Sequence, residues 1–313
     1  MSSKKEKKHT LLKAAGAAAV AGTAAYAGFG YYVFRNVFDL ENTKIYSDLT
    51  GIRKISASSG ELSQWLAHSC RTDEFTDSFD GLKMHAVCIM NHPDSHKWVI
   101  MMHGLGSYSG SMLEYLHEAD SREYNILAAD LRGCGMSEGK YTGLGWAEHY
   151  DLVTWINYLI GKDPDSSIAL YGIRTGAAAV MNACGDYLPG NVMCAVEDGG
   201  YTDVRSLISS GIKKYCKVDG KPFMPSVDLY VKQILRFSLK SVRTKQQLSH
   251  CTVPMMFVHG AEDQVVPTSN VFDAYYACAS DKELYVVEGA GYAETSGASD
   301  YFKRTFDFID QHM

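Results

Sequence analysis

Short apolar runs alternate with segments of helical spacing over most of this chain. Uninterrupted apolar runs are typical of parallel strands that are buried on both faces. The segments between them carry apolar residues three and four positions apart, as amphipathic helices do. The alternation predicts an α/β protein with a doubly wound, mostly parallel sheet, whose functional loops lie at the carboxyl ends of the strands. The predicted strands cover residues 83–89, 98–102, 124–129, 192–196, 253–258 and 284–288, with another starting at Ile168, and the predicted helices cover 111–119, 146–160, 269–279 and 300–311.

Two regions depart from this alternation. Residues 64–88 are typical of a helix followed by a hairpin, with its turn at Asp80-Gly81. Residues 201–247 break the strand and helix rhythm and predict a small helical insertion. On a sheet of this kind, such an insertion would cover the carboxyl edge as a lid.

The segment Ile168–Ala179 has the pattern of a buried strand that turns sharply into a helix. Gly172 and Gly176 flank the predicted turn, where a strained apex residue leaves no room for neighbouring side chains. This is the sequence pattern of a nucleophile elbow. Arg174 occupies the apex, at the position where a serine would be the nucleophile.

Composition narrows the possible functions. The chain has 313 residues, of which 46% are hydrophobic and 21% are charged, as expected for one full-size globular domain. The net charge of -6 and the absence of a basic face exclude nucleic acid as a partner.

The cysteines give no sign of a metal site. They form no C-x-x-C pair and no zinc-ligand spacing, so we expect no metal and no cofactor. Their even count permits disulfides, but buried free thiols are favoured because several lie in predicted strands. They are residues 70, 88, 134, 184, 194, 216, 251 and 278.

The amino terminus predicts a membrane anchor. A basic tail, residues 1–13, precedes an uncharged stretch of about 21 residues, 14–34, which as a helix would be about 31 Å long. Because the lysines precede the stretch, the tail is expected in the cytoplasm and the main domain outside the membrane. The aromatic residues near the end of the stretch would then lie at the outer membrane interface. A linker, 35–54, would join the anchor to a domain over 55–313.

Two other interpretations of the amino terminus stay open. Ala25-Tyr26-Ala27 resembles a signal-peptidase cleavage site, and cleavage there would give a secreted protein. The alanine and glycine content also allows a helix that lies on a membrane surface.

From about Ile55 onward the sequence resembles the α/β-hydrolase superfamily, and more narrowly bacterial membrane-anchored serine hydrolases related to S33 peptidases and acyl esterases. Several motifs in the same order carry the resemblance. They are Asp80-Gly81-Leu82-Lys83, His103-Gly104-Leu105-Gly106, the glycine-rich loop Asp130–Gly139, the elbow Gly172–Gly176 and the loop His259–Pro267. The resemblance implies the α/β-hydrolase fold and a Ser, His and Asp triad.

The triad implied by this resemblance is incomplete. Asp263 matches the acid, whereas Arg174 replaces the nucleophile and Tyr292 replaces the base histidine. Arginine cannot deprotonate in a protein, and tyrosine is a poor general base at neutral pH. Because nucleophile and base act as one unit, losing both predicts a protein that is inactive as a serine hydrolase. Thr175 as a nucleophile, and His103 or His259 as a substitute base, are weak alternatives.

Two uses of Arg174 remain open. It could pair with Asp263, which would otherwise be an unpartnered carboxylate in a cleft. It could instead bind an anionic or acyl ligand, together with the oxyanion-hole amides that the resemblance implies for Leu105 and Thr175. Alternative functions are a working esterase or peptidase with a non-standard nucleophile and an extracellular scaffold that binds a protein partner.

Overall fold

The computed structural model describes residues 2–42 and 60–313. An eight-stranded sheet with the order β1-β2-β4-β3-β5-β6-β7-β8 forms its centre. The β1–β2 and β2–β4 pairs are antiparallel, and the other neighbouring strands run parallel. The strands are β1 Arg71–Asp77, β2 Lys83–Ile89, β3 Lys97–Met102, β4 Asn125–Ala129, β5 Ser167–Ile173, β6 Val192–Asp198, β7 Met255–Gly260 and β8 Lys282–Val287.

Helices cover both faces of this sheet, so the predicted doubly wound α/β architecture is confirmed. On one face, α4, α5 and α9 pack against the strands around Trp155 and Phe257. On the other face, α3 and α10 pack around Tyr171 and Phe306. The helices are α1 Ser2–Val37, α2 Gly60–His68, α3 Leu113–Ser121, α4 Trp146–Lys162, α5 Thr175–Ala183, α6 Val204–Cys216, α7 Met224–Tyr230, α8 Thr244–Leu248, α9 Ser269–Ala277 and α10 Tyr301–His312.

The predicted lid insertion contains α6, α7 and α8, and it shares a third apolar cluster with α1. Phe34 and Phe38, at the carboxyl end of α1 and just after it, are completely buried in this cluster. They join Ile212 of α6 and Val227 of α7. The end of α1 is therefore part of the packed protein.

Two close contacts fix α1 to the lid. Gly30 lies so near α7 that a β-carbon there would fall 1.9 Å from the Ser226 hydroxyl and 2.8 Å from the Ser226 carbonyl carbon. The Tyr26 hydroxyl donates a hydrogen bond of 2.6 Å to the Pro222 carbonyl. After α1, the Leu40 amide donates to the Lys140 carbonyl, and residues 35–42 thus follow the domain surface. The rest of the predicted linker, 43–54, lies outside the described residues.

The predicted transmembrane span over 14–34 is not confirmed. Within residues 2–42 and 60–313, no helix combines the length and the apolar character that crossing a bilayer requires. Several of the aromatic residues that were expected at an outer membrane interface contact the lid. The ring centroids of Phe29 and Phe223 are 4.4 Å apart, and those of Tyr31 and Tyr230 are 5.2 Å apart.

The elbow between β5 and α5 is confirmed in its geometry. Arg174 has φ 55° and ψ -103°, a backbone conformation that is strained for a residue with a side chain. Gly172 must be glycine because a β-carbon there would lie 2.5 Å from the Gly176 carbonyl oxygen. At Gly176 a β-carbon would lie 2.1 Å from the Met102 carbonyl oxygen.

We predict that Gly176→Ala destabilises the domain by about 3 kcal/mol or more, because its methyl group would collide with backbone atoms that cannot rotate away. Gly161→Ala is the matched control, since Gly161 is exposed near the end of α4 and no atom lies within 4 Å of the place that its β-carbon would take. That control should gain about 0.5 to 1 kcal/mol from helix propensity. Urea denaturation of both variants measures the difference, and equal stabilities would contradict the packing argument.

Candidate functional site

The carboxyl ends of β5, β6 and β7 meet at one edge of the sheet and bring the candidate residues together. Arg174 follows β5, Asp198 ends β6, and Asp263 follows β7. The Arg174 backbone N–H donates a hydrogen bond of 2.7 Å to the Asp198 carbonyl, which ties the elbow to the neighbouring strand. Tyr292 lies in the loop after β8, and this loop packs closely against Gly260 at the end of β7.

Arg174 is a cation without a close carboxylate. Its guanidinium carbon lies 4.9 Å from the centroid of the Tyr292 ring, which is a cation–π contact. Its Nε atom is buried and has no hydrogen-bond partner among the described residues. No ion pair within 4 Å joins Arg174 to a carboxylate in the part of the chain that the structure describes.

Asp263 is satisfied within its own loop. Its Oδ1 accepts hydrogen bonds from the Val265 and Val266 amides at 2.7 and 2.9 Å, and its Oδ2 lies 3.6 Å from His259 Nε2. Burial raises the pKa of this carboxyl, while the two amides, His259 and Arg174 act in the opposite direction. The expected direct pair of Arg174 with Asp263 is therefore wrong. The loop amides already hold the carboxylate, and the arginine turns towards Tyr292 and acts on Asp263 only through space.

Tyr292 packs over Arg174 in a cation–π contact. Burial raises the pKa of its phenol, although Arg174 opposes the shift, so the hydroxyl is protonated at neutral pH. Its ring borders an apolar cavity together with Arg174. Asp263 borders a separate polar cavity with Gly291 and Ala293, the two neighbours of Tyr292. The Tyr292 ring thus packs on Arg174, and Asp263 borders the polar cavity on the other side.

Arg174 lies between these two cavities. The apolar one has a volume of about 290 Å³ and lies under the lid. The polar one also has a volume of about 290 Å³ and is bordered by Asp198, Asp263 and the hydroxyls of Ser107 and Ser111. The arginine side chain is the residue that both cavities share.

The two expected oxyanion-hole residues lie beside Arg174. Leu105 and Thr175 are both buried and both border the apolar cavity with the arginine. Thr175 is the first residue of α5, so its backbone N–H has no acceptor within the helix. Leu105 follows Gly104, whose missing side chain leaves room for the arginine, since a β-carbon there would lie 2.9 Å from Arg174 Nε. These two positions, expected from the sequence, thus lie together at one corner of the cleft.

Both histidines near the site hydrogen-bond to backbone groups, His103 through both ring nitrogens and His259 through Nε2, while His259 Nδ1 is buried without a partner among the described residues. His103 Nδ1 donates to the Gly104 carbonyl at 2.7 Å, and its Nε2 accepts from the Leu131 amide at 3.0 Å. Burial lowers the pKa of this imidazole, which is therefore neutral. His259 Nε2 donates to the Val266 carbonyl at 2.9 Å. Neither imidazole makes a hydrogen bond to a hydroxyl group in the described residues, and the Thr175 hydroxyl accepts only a long 3.4 Å bond from Tyr201.

Sequence reasoning missed two buried carboxyls at the end of β6. Asp198 Oδ2 accepts hydrogen bonds from the Thr295 and Tyr301 hydroxyls at 2.7 and 2.5 Å. Glu197 Oε2 accepts one from the Gly200 amide at 2.9 Å, and burial raises its pKa to about 8. The predicted strand 192–196 ended just before both residues, which belong to β6 in the structure. Adjacent acidic residues directly after a buried apolar run were the signal that could have identified them.

The described residues contain no group of histidines, cysteines and acids that could hold a metal ion. All cysteines of the chain are free thiols.

We predict that Glu197 makes stability fall as pH rises. Its folded-state pKa of about 8 lies above the ordinary value of 4.5, so the folded protein holds a proton that the unfolded chain releases. Its contribution is complete below about pH 4.5 and is lost as pH rises through 8, at up to about 1.4 kcal/mol per pH unit. Urea denaturation between pH 5 and 8.5 should show a smaller decline for Glu197→Gln than for the unmodified protein.

The matched control is Glu283→Gln, because Glu283 is exposed on β8. This variant should follow the unmodified protein at every pH. Parallel curves for Glu197→Gln and the unmodified protein would show that Glu197 is ionised in the folded state.

Several known sequences are similar to this chain. The family described as serine aminopeptidase, S33, matches residues 93–214. The uncharacterized protein YqkD of Bacillus subtilis is 23% identical over 220 residues, which cover 69% of this chain and 72% of that protein. Alpha/beta hydrolase domain-containing protein 17C of Mus musculus is 25% identical over 224 residues, which cover 71% of this chain. The match spans 62% of the length of that mouse protein.

Solved structures share the fold. The Pyrococcus furiosus esterase Pf2001 superposes with a TM-score of 0.65 at 22% identity, covering 80% of this chain and 94% of that one. The esterase EaEST from Exiguobacterium antarcticum superposes with a TM-score of 0.58 at 17% identity, covering 76% of this chain and 100% of that one. The strand order, the strained elbow and these similarities agree, and the chain has the α/β-hydrolase fold.

Proposed function

We propose that this protein does not work as a serine hydrolase and that it binds an anion at the elbow. The observation that carries the proposal is the state of Arg174: a guanidinium with a buried, unpartnered Nε and no carboxylate within 4 Å among the described residues. A buried N–H group without a hydrogen-bond partner costs free energy unless an acceptor reaches it. A bound anion would supply that acceptor together with a counter-charge for the guanidinium.

The surroundings of Arg174 favour a planar or tetrahedral oxyanion. Thr175 is the first residue of α5, so its N–H has no acceptor within the helix. The helix dipole favours negative charge at this end. A guanidinium can donate two parallel hydrogen bonds to a carboxylate or a phosphate. The ligand class that this corner suits is therefore a carboxylate or a phosphate group.

Serine-hydrolase chemistry lacks two of its parts at this site. An arginine cannot attack a carbonyl, and a buried, protonated Tyr292 cannot remove a proton from a neighbouring hydroxyl. The hydroxyls of Ser107 and Ser111 in the polar cavity hydrogen-bond to each other, and the nearby imidazoles are held by backbone carbonyls. These contacts support binding without turnover over hydrolysis by a non-standard nucleophile.

Anion binding is tested by calorimetric titration with acetate and with inorganic phosphate. We predict that the unmodified protein binds at least one of them and that Arg174→Met weakens binding by about 10 to 100 fold, since a charge-assisted hydrogen bond contributes about 1.5 to 3 kcal/mol. Arg205→Met, which removes an exposed arginine of the lid, is the matched control and should bind normally. Unchanged binding in Arg174→Met, or none in the unmodified protein, would overturn the anion site.

Loss of hydrolysis is tested by restoring the missing groups. We predict that Arg174→Ser combined with Tyr292→His recovers measurable esterase activity on a p-nitrophenyl ester, because Asp263 is still in the acid position and the elbow is intact. Each single change should stay at the background rate, since nucleophile and base act as a unit. A fluorophosphonate probe should label the double variant and not the unmodified protein. Efficient hydrolysis or labelling of the unmodified protein would show that it is an active enzyme.

A further inference from the structure

The apolar cavity beside Arg174 has a lining that changes from one end to the other. At the inner end are Arg174, Thr175 and Tyr292, the groups of the proposed anion site. The rest of the buried lining is mainly aliphatic and includes Val33, Ile208 and Ile212, with Tyr201 as a buried aromatic residue. The polar residues Asn36, Lys214 and Gln264 also border the cavity and are more exposed. A ligand that fills this space would meet charge at one end and hydrocarbon along most of its length.

Helix α1 forms one wall of this cavity. Tyr32, Val33, Asn36 and Val37 face it from α1, and Leu207, Ile208 and Ile212 of α6 face it from the lid. The contact of Gly30 with Ser226 holds α1 in this position. The cavity is therefore complete only when α1 is docked on the lid.

We propose that the ligand is an amphiphilic anion, with a carboxylate or phosphate head at Arg174 and an unbranched apolar tail between α1 and α6. The inference rests on the proposed anion site and adds the class of molecule that it takes. The volume of about 290 Å³ lies at the lower end of the range for small-molecule pockets, and it suits a single chain. Such cavities are lined mainly by apolar side chains with a few polar groups at one end, as this one is.

The same geometry links ligand binding to the docking of α1. A tail that contacts α1 and α6 together binds better when α1 is in place, and by reciprocity the bound tail holds α1 in place. An anion without a tail contacts only the inner end and has no such effect. The chain-length dependence of binding therefore separates the tail from the head group.

The test compares acetate with dodecanoate below its micelle concentration, by calorimetry on the full chain. Each methylene that enters the cavity strengthens binding by about fourfold, so dodecanoate should bind at least about 100 times more tightly than acetate. Gly30→Leu, which forces α1 away from Ser226, should weaken dodecanoate binding at least tenfold and leave acetate binding unchanged. Gly28→Leu is the matched control, because Gly28 is exposed and no atom lies within 4 Å of the place that its β-carbon would take.

A second variant acts on the opposite wall. Leu207→Phe enlarges a half-buried side chain of α6 that borders the cavity, and it should also weaken dodecanoate binding without affecting acetate. Hydrogen exchange adds a measurement without substitution: dodecanoate should slow exchange of the amides of residues 29–37, and acetate should not. If both variants keep full dodecanoate affinity, or if dodecanoate leaves that exchange unchanged, the cavity does not hold the tail.

The outcomes separate this inference from the proposed function. If Arg174→Met weakens acetate binding but chain length has no effect, the anion site stands and the tail site is wrong. If dodecanoate binds and responds to Gly30→Leu while Arg174→Met changes nothing, the cavity takes an apolar ligand and the anion site is wrong. That second outcome would also overturn the proposal of an amphiphilic anion.

Discussion

The close approach of three backbone segments at the elbow is the constraint on which the site depends. Gly172 of β5 packs against the backbone of Gly176 in α5, and Gly176 packs against the backbone of Met102 at the end of β3. No side chain fits at either glycine. This packing holds the residue between them at φ 55°, with its side chain projecting from the sheet edge. Whatever residue occupies position 174 is therefore presented to the cleft. The backbone has this geometry although the side chain there is an arginine.

Placing a cation at this apex has electrostatic consequences for the carboxyls around it. Asp198 and Asp263 are both buried near Arg174, and each already has its own hydrogen-bond donors from Tyr301, Thr295 and loop amides. Burial raises the pKa of both carboxyls, and Arg174 lowers both through space. The arginine thus favours the ionised forms of its neighbours without forming an ion pair with them. Its contact with the face of the Tyr292 ring is a cation–π attraction that contributes about 0.5 to 2 kcal/mol.

The sequence predicted the sheet, the elbow and the lid because their signals are local: uninterrupted apolar runs, a G-x-x-x-G turn and a break in the alternation. It did not predict the contacts of Arg174. A direct pair of Arg174 with Asp263 was expected because their loops converge at the sheet edge. The backbone amides of Val265 and Val266 are nearer to Asp263 in sequence, and they donate hydrogen bonds to its carboxylate. The sequence also did not predict that the end of α1 packs against the lid. Burial of Phe34 and Phe38 depends on a lid more than 160 residues away, which no local pattern encodes.

The third apolar cluster connects the site to both of these distant segments. Leu105, from the loop that the oxyanion hole uses, belongs to the same cluster as Phe34 of α1 and Val227 of the lid. Val266, whose amide holds Asp263, belongs to it as well. The apolar contacts between α1 and the lid therefore continue through one cluster to Leu105 and Val266, beside the elbow. Because α1 shares this cluster and lines the apolar cavity, the amino-terminal helix is part of the site.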